Sequence, residues 1–442
     1  MTYRTLAIRA LLAAIIPAAA LALASCTGTT YEYSNPLDPK EDAPVSSVVT
    51  GIPDANLQQA ILDQYAGSTK FQVQEIYADG YGVTSVAGIE FFPRVSTLWL
   101  GNNPLNGVDL SPIVRLPDLQ ELHLNGVVDP DIQSLAGSSV RILALRDANI
   151  IYPDLQTIAG LPNIRDLALS GPGSGSGAYY TVQGTNVFDD LATAGLAGKL
   201  TDAIHIEYFN IASSADLIGI EAFVGTSQID LAFNQINDPG LLQPFFNASA
   251  IDSQQADHDL SLYGNPVTPS LLTNMGGYID QLEGLSLGAT GLTSFTPAML
   301  PGSTTLIRLD LNDNSALSDI SAVGNFPNLE ELLISRTDAD ETTLFSAGLP
   351  NLRLLAANAV GDGGASPITT VAGISAFSAL EYVFLDNNLS LTGGIAELAQ
   401  LPNLQSVSFS GSTNVSTADI QAIIDANPDV FVTYPDGTVY AP

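Results

Sequence analysis

A few features of the sequence could do chemistry. The stretch GLSLG, Gly284–Gly288, has the G-x-S-x-G spacing that in one large group of hydrolases holds a serine nucleophile, here Ser286, on a sharp strand-to-helix turn. His123, His205 and His258 are the chain's 3 histidines, and so its candidate bases and metal ligands. Asp129 and Asp131 in VVDPDIQ offer oxygen ligands for calcium, but the loop lacks the spaced carboxylates of an EF-hand. Cys26 is the only cysteine, so no intramolecular disulfide forms and the folded part must be held by its core. Whether any of these groups acts depends on the elements that carry it.

The chain repeats itself. LPDLQELHLNG (116–126), LPNIRDLALSG (161–171), FPNLEELLISR (326–336), LPNLRLLAANA (349–359) and LPNLQSVSFSG (401–411) share Pro, then an apolar residue, then L-x-L. LWLGNN from Leu98, IDLAFN from Ile229, LSLYGN from Leu260 and LDLNDN from Leu309 keep L-x-L-x-x-N. The first apolar position of each unit falls at Ile76, Leu98, Leu122, Leu143, Leu167, Ile204, Ile229, Leu260, Leu285, Leu309, Leu332, Leu355, Val383 and Val407. Most intervals are about 21–25 residues. Three are longer; one of these, Leu167 to Ile204, contains the Gly/Ser-rich GPGSGSGAYY, expected as a loop leaving the array.

Physics explains the pattern. Side chains alternate along a strand, so both apolar residues of L-x-L face one side, the core. Asn103, Asn234, Asn265 and Asn314 suit the turn out of the strand, where their side chains satisfy backbone groups. One rung cannot bury its apolar side alone, whereas a stack can. The chain resembles the bacterial leucine-rich-repeat proteins of internalin type, and SDISAVGNFPNLEELLIS (318–335) is close to that family's repeat unit. Val127 and Ala148, where Asn is expected, and Ala357, in place of the second apolar residue, depart from the pattern. The expected fold is an α/β repeat solenoid, a leucine-rich-repeat horseshoe or arc with a parallel concave sheet of about 14–15 rungs over residues 71–415. A small helical N-terminal cap is expected over 51–70, with Asp54 as N-cap and Leu57, Ile61 and Leu62 at helical spacing. A C-terminal helix after Ser416 and a last strand form a cap over 416–442.

The repeat decides the chemistry. Leu285 and Leu287 are a core pair, so Ser286 is a mid-strand residue and no nucleophile elbow. Neighbouring rungs offer Ser261 and Asp310 at its position, not histidine. His123 and His205 share a strand position with two rungs between them, roughly 14 Å at ~4.8 Å per rung, too far for one zinc ion. No enzyme and no metal centre is expected, and calcium at Asp129 and Asp131 is the one weak cofactor candidate.

What remains is a binding face. In arrays of the resembled family the concave sheet is the usual ligand surface. Here it is expected to present Trp99, His123, His205, Asp230, Tyr263, Arg308 and Asp310, then an apolar patch of Leu333, Leu354, Tyr382 and Phe384. Trp99 is the only Trp, and an exposed aromatic not needed for the core suggests a contact residue. Gly284, Ser286 and Gly288 are expected to leave one rung bare, open to close approach by a ligand.

The N-terminus supplies an address. Arg4 and Arg9 precede the uncharged run ALLAAIIPAAALALAS, too short for a comfortable membrane span. LASC, Leu23–Cys26, resembles the lipobox of bacterial lipoproteins, which implies a signal peptide over 1–25 and lipidation of Cys26. The polar, Pro-containing residues 26–50 are expected to form a flexible tether. Loss of Arg4 and Arg9 would take the net charge from −33 to −35, a surface that repels nucleic acid and anionic headgroups. The expected protein is a monomeric, lipid-anchored module of the bacterial envelope with a protein or glycan ligand. The alternative is an envelope-organising lipoprotein without a discrete ligand. Thr27, by analogy with enterobacterial lipoprotein sorting, favours the outer membrane or cell surface.

Overall fold

Every L-x-L unit folds as a short strand, and within each of the chain's two units the first apolar residues of successive rungs stand side by side. The computed structural model describes residues 41–237, 241–243, 246, 258–361 and 368–442. The signal, Cys26 and the first part of the tether lie outside the described residues. The chain divides into two units. The N-terminal unit runs to Asn210 and takes in Ala215–Ser227, and the C-terminal unit comprises Ile211–Ser214 and Gln228–Pro442.

In the N-terminal unit, β1 (Glu75–Tyr77), β2 (Thr97–Trp99), β3 (Glu121–His123), β4 (Ile142–Leu145), β5 (Asp166–Ser170) and β6 (Ala203–Glu207) are parallel neighbours in sequence order. Ile76, Leu98, Leu122, Leu143, Leu167 and Ile204 align in register and are fully buried. In the C-terminal unit, β7 (Gln228–Asp230), β8 (His258–Ser261), β9 (Leu282–Ser286), β10 (Arg308–Asp310) and β11 (Glu331–Leu333) continue the pattern. They are followed by β12 (Leu354–Ala356), β13 (Tyr382–Phe384), β14 (Ser406–Ser408) and β15 (Phe431–Thr433). The aligned row from Ile229 to Val407 gains one member beyond the expected set, Val432 on β15. A final strand, β16 (Val439–Tyr440), returns antiparallel to β15. Both units are leucine-rich-repeat solenoids. Burying each such side chain contributes roughly 1.5–3 kcal/mol, so the stack rather than any single rung supplies the stability.

The exit from each strand has a local cause. On every rung from β1 to β14 except that of β5, where Gly171 is extended, the fourth residue after the first apolar position takes a left-handed conformation, with φ of 54° at Asn102, 62° at Asp313 and 58° at Asn387. Asn and Asp tolerate this region because their short side chains bond locally. The recurring geometry then places the next residue, Asn in several rungs, inside the stack. Asn314 is buried and donates from Nδ2 to the carbonyls of Leu287 and Leu311, while its Oδ1 accepts from the amides of Thr290 and Leu292. The turn duty expected of these asparagines is thus performed across neighbouring rungs. Where Thr290, Thr337 or Ser412 takes the place, the hydroxyl donates to Leu287, Ile334 or Leu385. Val127 and Ala148 are simply buried.

Both ends are covered. Asp54 caps the helix Ala55–Tyr65 by accepting from the amides of Asn56 and Leu57, and its second oxygen accepts from Thr84 and Ser85. The cap also begins earlier than expected. The tether expected over 26–50 does not extend to residue 50, because Ala43, Val45, Val48 and Val49 are buried and Asp42 accepts from Thr69 and Phe71. Four apolar residues in an otherwise polar stretch suffice to fold it. At the other end Ser416 caps the helix Thr417–Ala426 by accepting from the Asp419 amide. The long insertion after β5 is folded: it carries the helix Val187–Ala194, and buried Tyr180 donates to Asp190 at 2.7 Å.

Candidate functional site

Alternation leaves side chains on the sheet face opposite the core, and register lines them up from rung to rung. In the N-terminal unit one row reads Tyr77, Trp99, His123, Ala144, Ala168, His205. Its first three members are rings. Trp99 and His123 stack with centroids 3.7 Å apart and planes at 9°, and Tyr77 lies 5.9 Å from Trp99. Trp99 is therefore only partly exposed, which corrects the expectation of a free aromatic: His123 covers its face. Trp99 Nε1 and His123 Nε2 are buried without a hydrogen-bond partner, although His123 Nε2 stands 3.8 Å from Glu121 Oε2.

His205 shares the row but stands three strands away from His123, with Ala144 and Ala168 between them, and its Nε2 is 3.5 Å from Asp166 Oδ1. The two histidines do not converge. Arg146 reaches two rungs to donate from Nε to Glu207 at 2.7 Å. Of the calcium candidates, Asp129 accepts from Asn149 and Asp131 caps the turn Ile132–Leu135, so both carboxylates have structural duties.

In the C-terminal unit the rung of Ser286 is not bare. Asp259, Gly284 and Arg308 stand in register on β8, β9 and β10. With no side chain at Gly284, Arg308 Nη2 reaches Asp259 Oδ1 at 2.6 Å, and Glu283 stands 3.4 Å away. The Tyr263 ring lies over Gly288, and its hydroxyl donates to Asp313 Oδ2 at 2.6 Å. Both glycines are covered by neighbours, which corrects the expectation that a ligand approaches the backbone there. Glycine is needed for that cover: a Cβ at Gly288 would stand 2.6 Å from two atoms of the Tyr263 ring.

Ser286 is buried and donates to Asp310 Oδ2 at 2.8 Å, while Asp310 Oδ1 accepts from the Asn312 amide. Burial pushes the Asp310 carboxyl above its ordinary range. His258 pairs in register with Leu282 at the far end of β8, away from Ser286. A carboxylate, a serine and no adjacent imidazole make no nucleophile. Asp230 is likewise buried and accepts from the Ala232 amide at 3.0 Å.

The late rungs differ. Leu354 pairs in register with Tyr382, and Leu333 with Ala356 and Phe384. Leu333, Leu354, Ala356, Tyr382 and Phe384 form one apolar cluster on this face, separate from the rows of core leucines. Leu354 and Phe384 are 5% and 4% exposed, because each is wedged between the others, while Leu333 and Tyr382 are partly exposed. The expected patch is thus brought together, more buried than the sequence suggests, and enlarged by Ala356. Ala356 is the member that sequence reasoning missed, although its place after Leu355 in the repeat puts it on this face.

No protein-family model and no curated protein matches the chain. Among solved structures it is similar to an internalin from Listeria monocytogenes, at 18% identity and TM-score 0.37, covering 87% of this chain and 96% of that one. It is similar to a leucine-rich-repeat protein of Leptospira interrogans at 18% identity and TM-score 0.37, covering 85% and 97%. An internalin C2 from Listeria monocytogenes matches at 18% identity and TM-score 0.36, covering 56% of this chain and 97% of that one.

Proposed function

We propose that the protein is an extracytoplasmic binding module, tethered to a bacterial envelope by a lipid on Cys26, and that the open sheet face of its repeats receives a protein ligand. The observation that carries this reading is the cluster of Leu333, Leu354, Ala356, Tyr382 and Phe384. These side chains lie on the face opposite the core, so the fold of their own unit does not need them to be apolar. The partly exposed Leu333 and Tyr382, backed by the buried Leu354, Ala356 and Phe384 and rimmed by polar rungs, would offer the apolar centre of a contact site. Below it, Asp230, Tyr263, Arg308 and Asp310 are held by partners in fixed positions, which suits a polar rim. In the N-terminal unit Trp99, His123 and His205 would add a second contact zone. The alternative is an envelope-organising lipoprotein with no discrete ligand.

The test is capture of envelope or host-surface proteins by the domain from residue 41 onward, with partners identified by mass. Leu333→Asp and Tyr382→Ala, both at partly exposed positions, should abolish recovery of the parent's partner at unchanged melting temperature. Equal recovery by parent and variants would favour the organising role.

A further inference from the structure

The N-terminal unit carries a groove of about 870 Å³ along the edge where its strands begin. One lip is a row of residues, each preceding a strand: Gln74, Ser96, Gln120, Arg141 and Arg165. The row is defined by the backbone, since the carbonyl of each accepts the amides of two residues on the next rung, as Gln120 does from Arg141 and Ile142. A second row two residues earlier holds Arg94, Asp118, Ser139 and Asn163. Three arginines in one groove are notable in a chain with 13 basic and 46 acidic residues.

The corresponding row of the C-terminal unit shows the contrast. There it reads Glu283, Ile307, Glu330, Arg353, Glu381 and Gln405, and Arg353 is neutralised by Glu381 at 2.7 Å and Glu330 at 3.8 Å. In the groove the balance is reversed. Arg94 holds Asp118 at 3.0 Å in an exposed pair, and Arg141 pairs with Asp202. Arg165, on the rung between Arg141 and Asp202, is exposed and makes no ion pair among the described residues. Arg141 Nε is buried and finds no acceptor. Two arginines therefore sit on adjacent rungs, whose backbones are ~4.8 Å apart, with the one carboxylate of Asp202 on the rung beyond, and the exposed Arg94–Asp118 pair is weakened by solvent.

We propose that this groove binds an anionic polysaccharide, one bearing uronate or sulfate groups. Guanidinium forks match carboxylate and sulfate oxygens. Amide and hydroxyl groups of Gln74, Gln120, Asn163, Ser96 and Ser139, which suit sugar hydroxyls, share the lining with the apolar Phe71, Pro117 and Leu119. The lip spans five rungs, roughly 19 Å at ~4.8 Å per rung, the footprint of an extended polymer rather than a single ion. An acidic peptide fits less well, because the lip carbonyls and the amides facing them are already paired and no deep apolar pocket awaits a side chain.

The experiment uses the domain from residue 41 onward at ~0.15 M salt, where long-range repulsion by the acidic surface is screened. Immobilised polygalacturonate and heparin are the probes, with dextran as the neutral control and polyglutamate as the peptide control. The parent should be retained by at least one anionic glycan and not by dextran. Arg165→Gln should weaken retention several-fold and Arg165→Glu on the order of tenfold or more, at unchanged melting temperature. Arg115→Glu, an exposed arginine outside the groove with the same charge change, should leave retention intact. No retention on either glycan, equal loss in Arg115→Glu, or tighter binding to polyglutamate would each overturn the proposal.

Discussion

Arg308 and Asp259 belong to rungs two apart, yet they meet at 2.6 Å over the backbone of Gly284. The side chains of Arg308 and Asp259 are 17% and 15% exposed, so the pair is largely withdrawn from water. An ion pair in that setting stabilises only while both partners are present and close.

Gly284→Ala should break that closeness. Its Cβ would stand 2.8 Å from Asp259 Cγ and 3.3 Å from Arg308 Nε. The expected loss is about 1–3 kcal/mol in denaturant unfolding. Gly67→Ala, where nothing lies within 4 Å, should change stability little. Equal effects from the two substitutions would show that the pair does not depend on the missing side chain.

Asp310 gives a pH dependence with a definite sign. Burial raises its folded-state pKa above the ordinary 3.8, so the fold favours the protonated form. The stability this contributes is present below the ordinary value and is lost as pH rises through the folded value. Asp310→Asn keeps an acceptor for the Asn312 amide and a partner for Ser286. The variant should melt above the parent at neutral pH, and the difference should vanish in acid. A difference that grows on acidification would reverse the assignment.

Trp99, the only tryptophan, reports on its own cover. His123→Ala removes the ring stacked 3.7 Å away, so indole emission should shift to the red and become more accessible to acrylamide. Spectra identical to the parent's would mean that the stack does not form in solution.

Cys26→Ser addresses the tether. If a lipid on Cys26 is the anchor, the variant should move from the membrane fraction to the soluble fraction. Membrane association at the parent's level would remove the anchor from the proposal.

The sequence made the core legible because alternation is a local rule: Ile76, Leu309 and Val407 each declare their side by their neighbours. The same rule put Leu333, Leu354, Tyr382 and Phe384 on one face. It failed where side-chain reach matters. Nothing local in the sequence says that Tyr263 lies over Gly288 to meet Asp313, because the partners are 50 residues apart and the outcome depends on rotamers. The cover of Trp99 by His123 was hidden for the same reason. The short apolar set Val45, Val48 and Val49 was missed because it has no period long enough to recognise. The groove left one readable trace: the residue preceding each strand, taken as a column down the repeat, turns from Glu-rich late in the chain to Arg and Gln early.

In a repeat array each rung ordinarily feels only the rungs beside it, like a spin in a one-dimensional chain with first-neighbour coupling. Arg308 with Asp259 and Tyr263 with Asp313 in one unit, and Arg146 with Glu207 and Arg141 with Asp202 in the other, all skip a rung. They are second-neighbour couplings. A domain wall between folded and unfolded rungs then severs more than one bond wherever it falls within these stretches. Its cost rises, so each stretch should open as a block of at least three rungs, and amide exchange within a block should share one opening free energy.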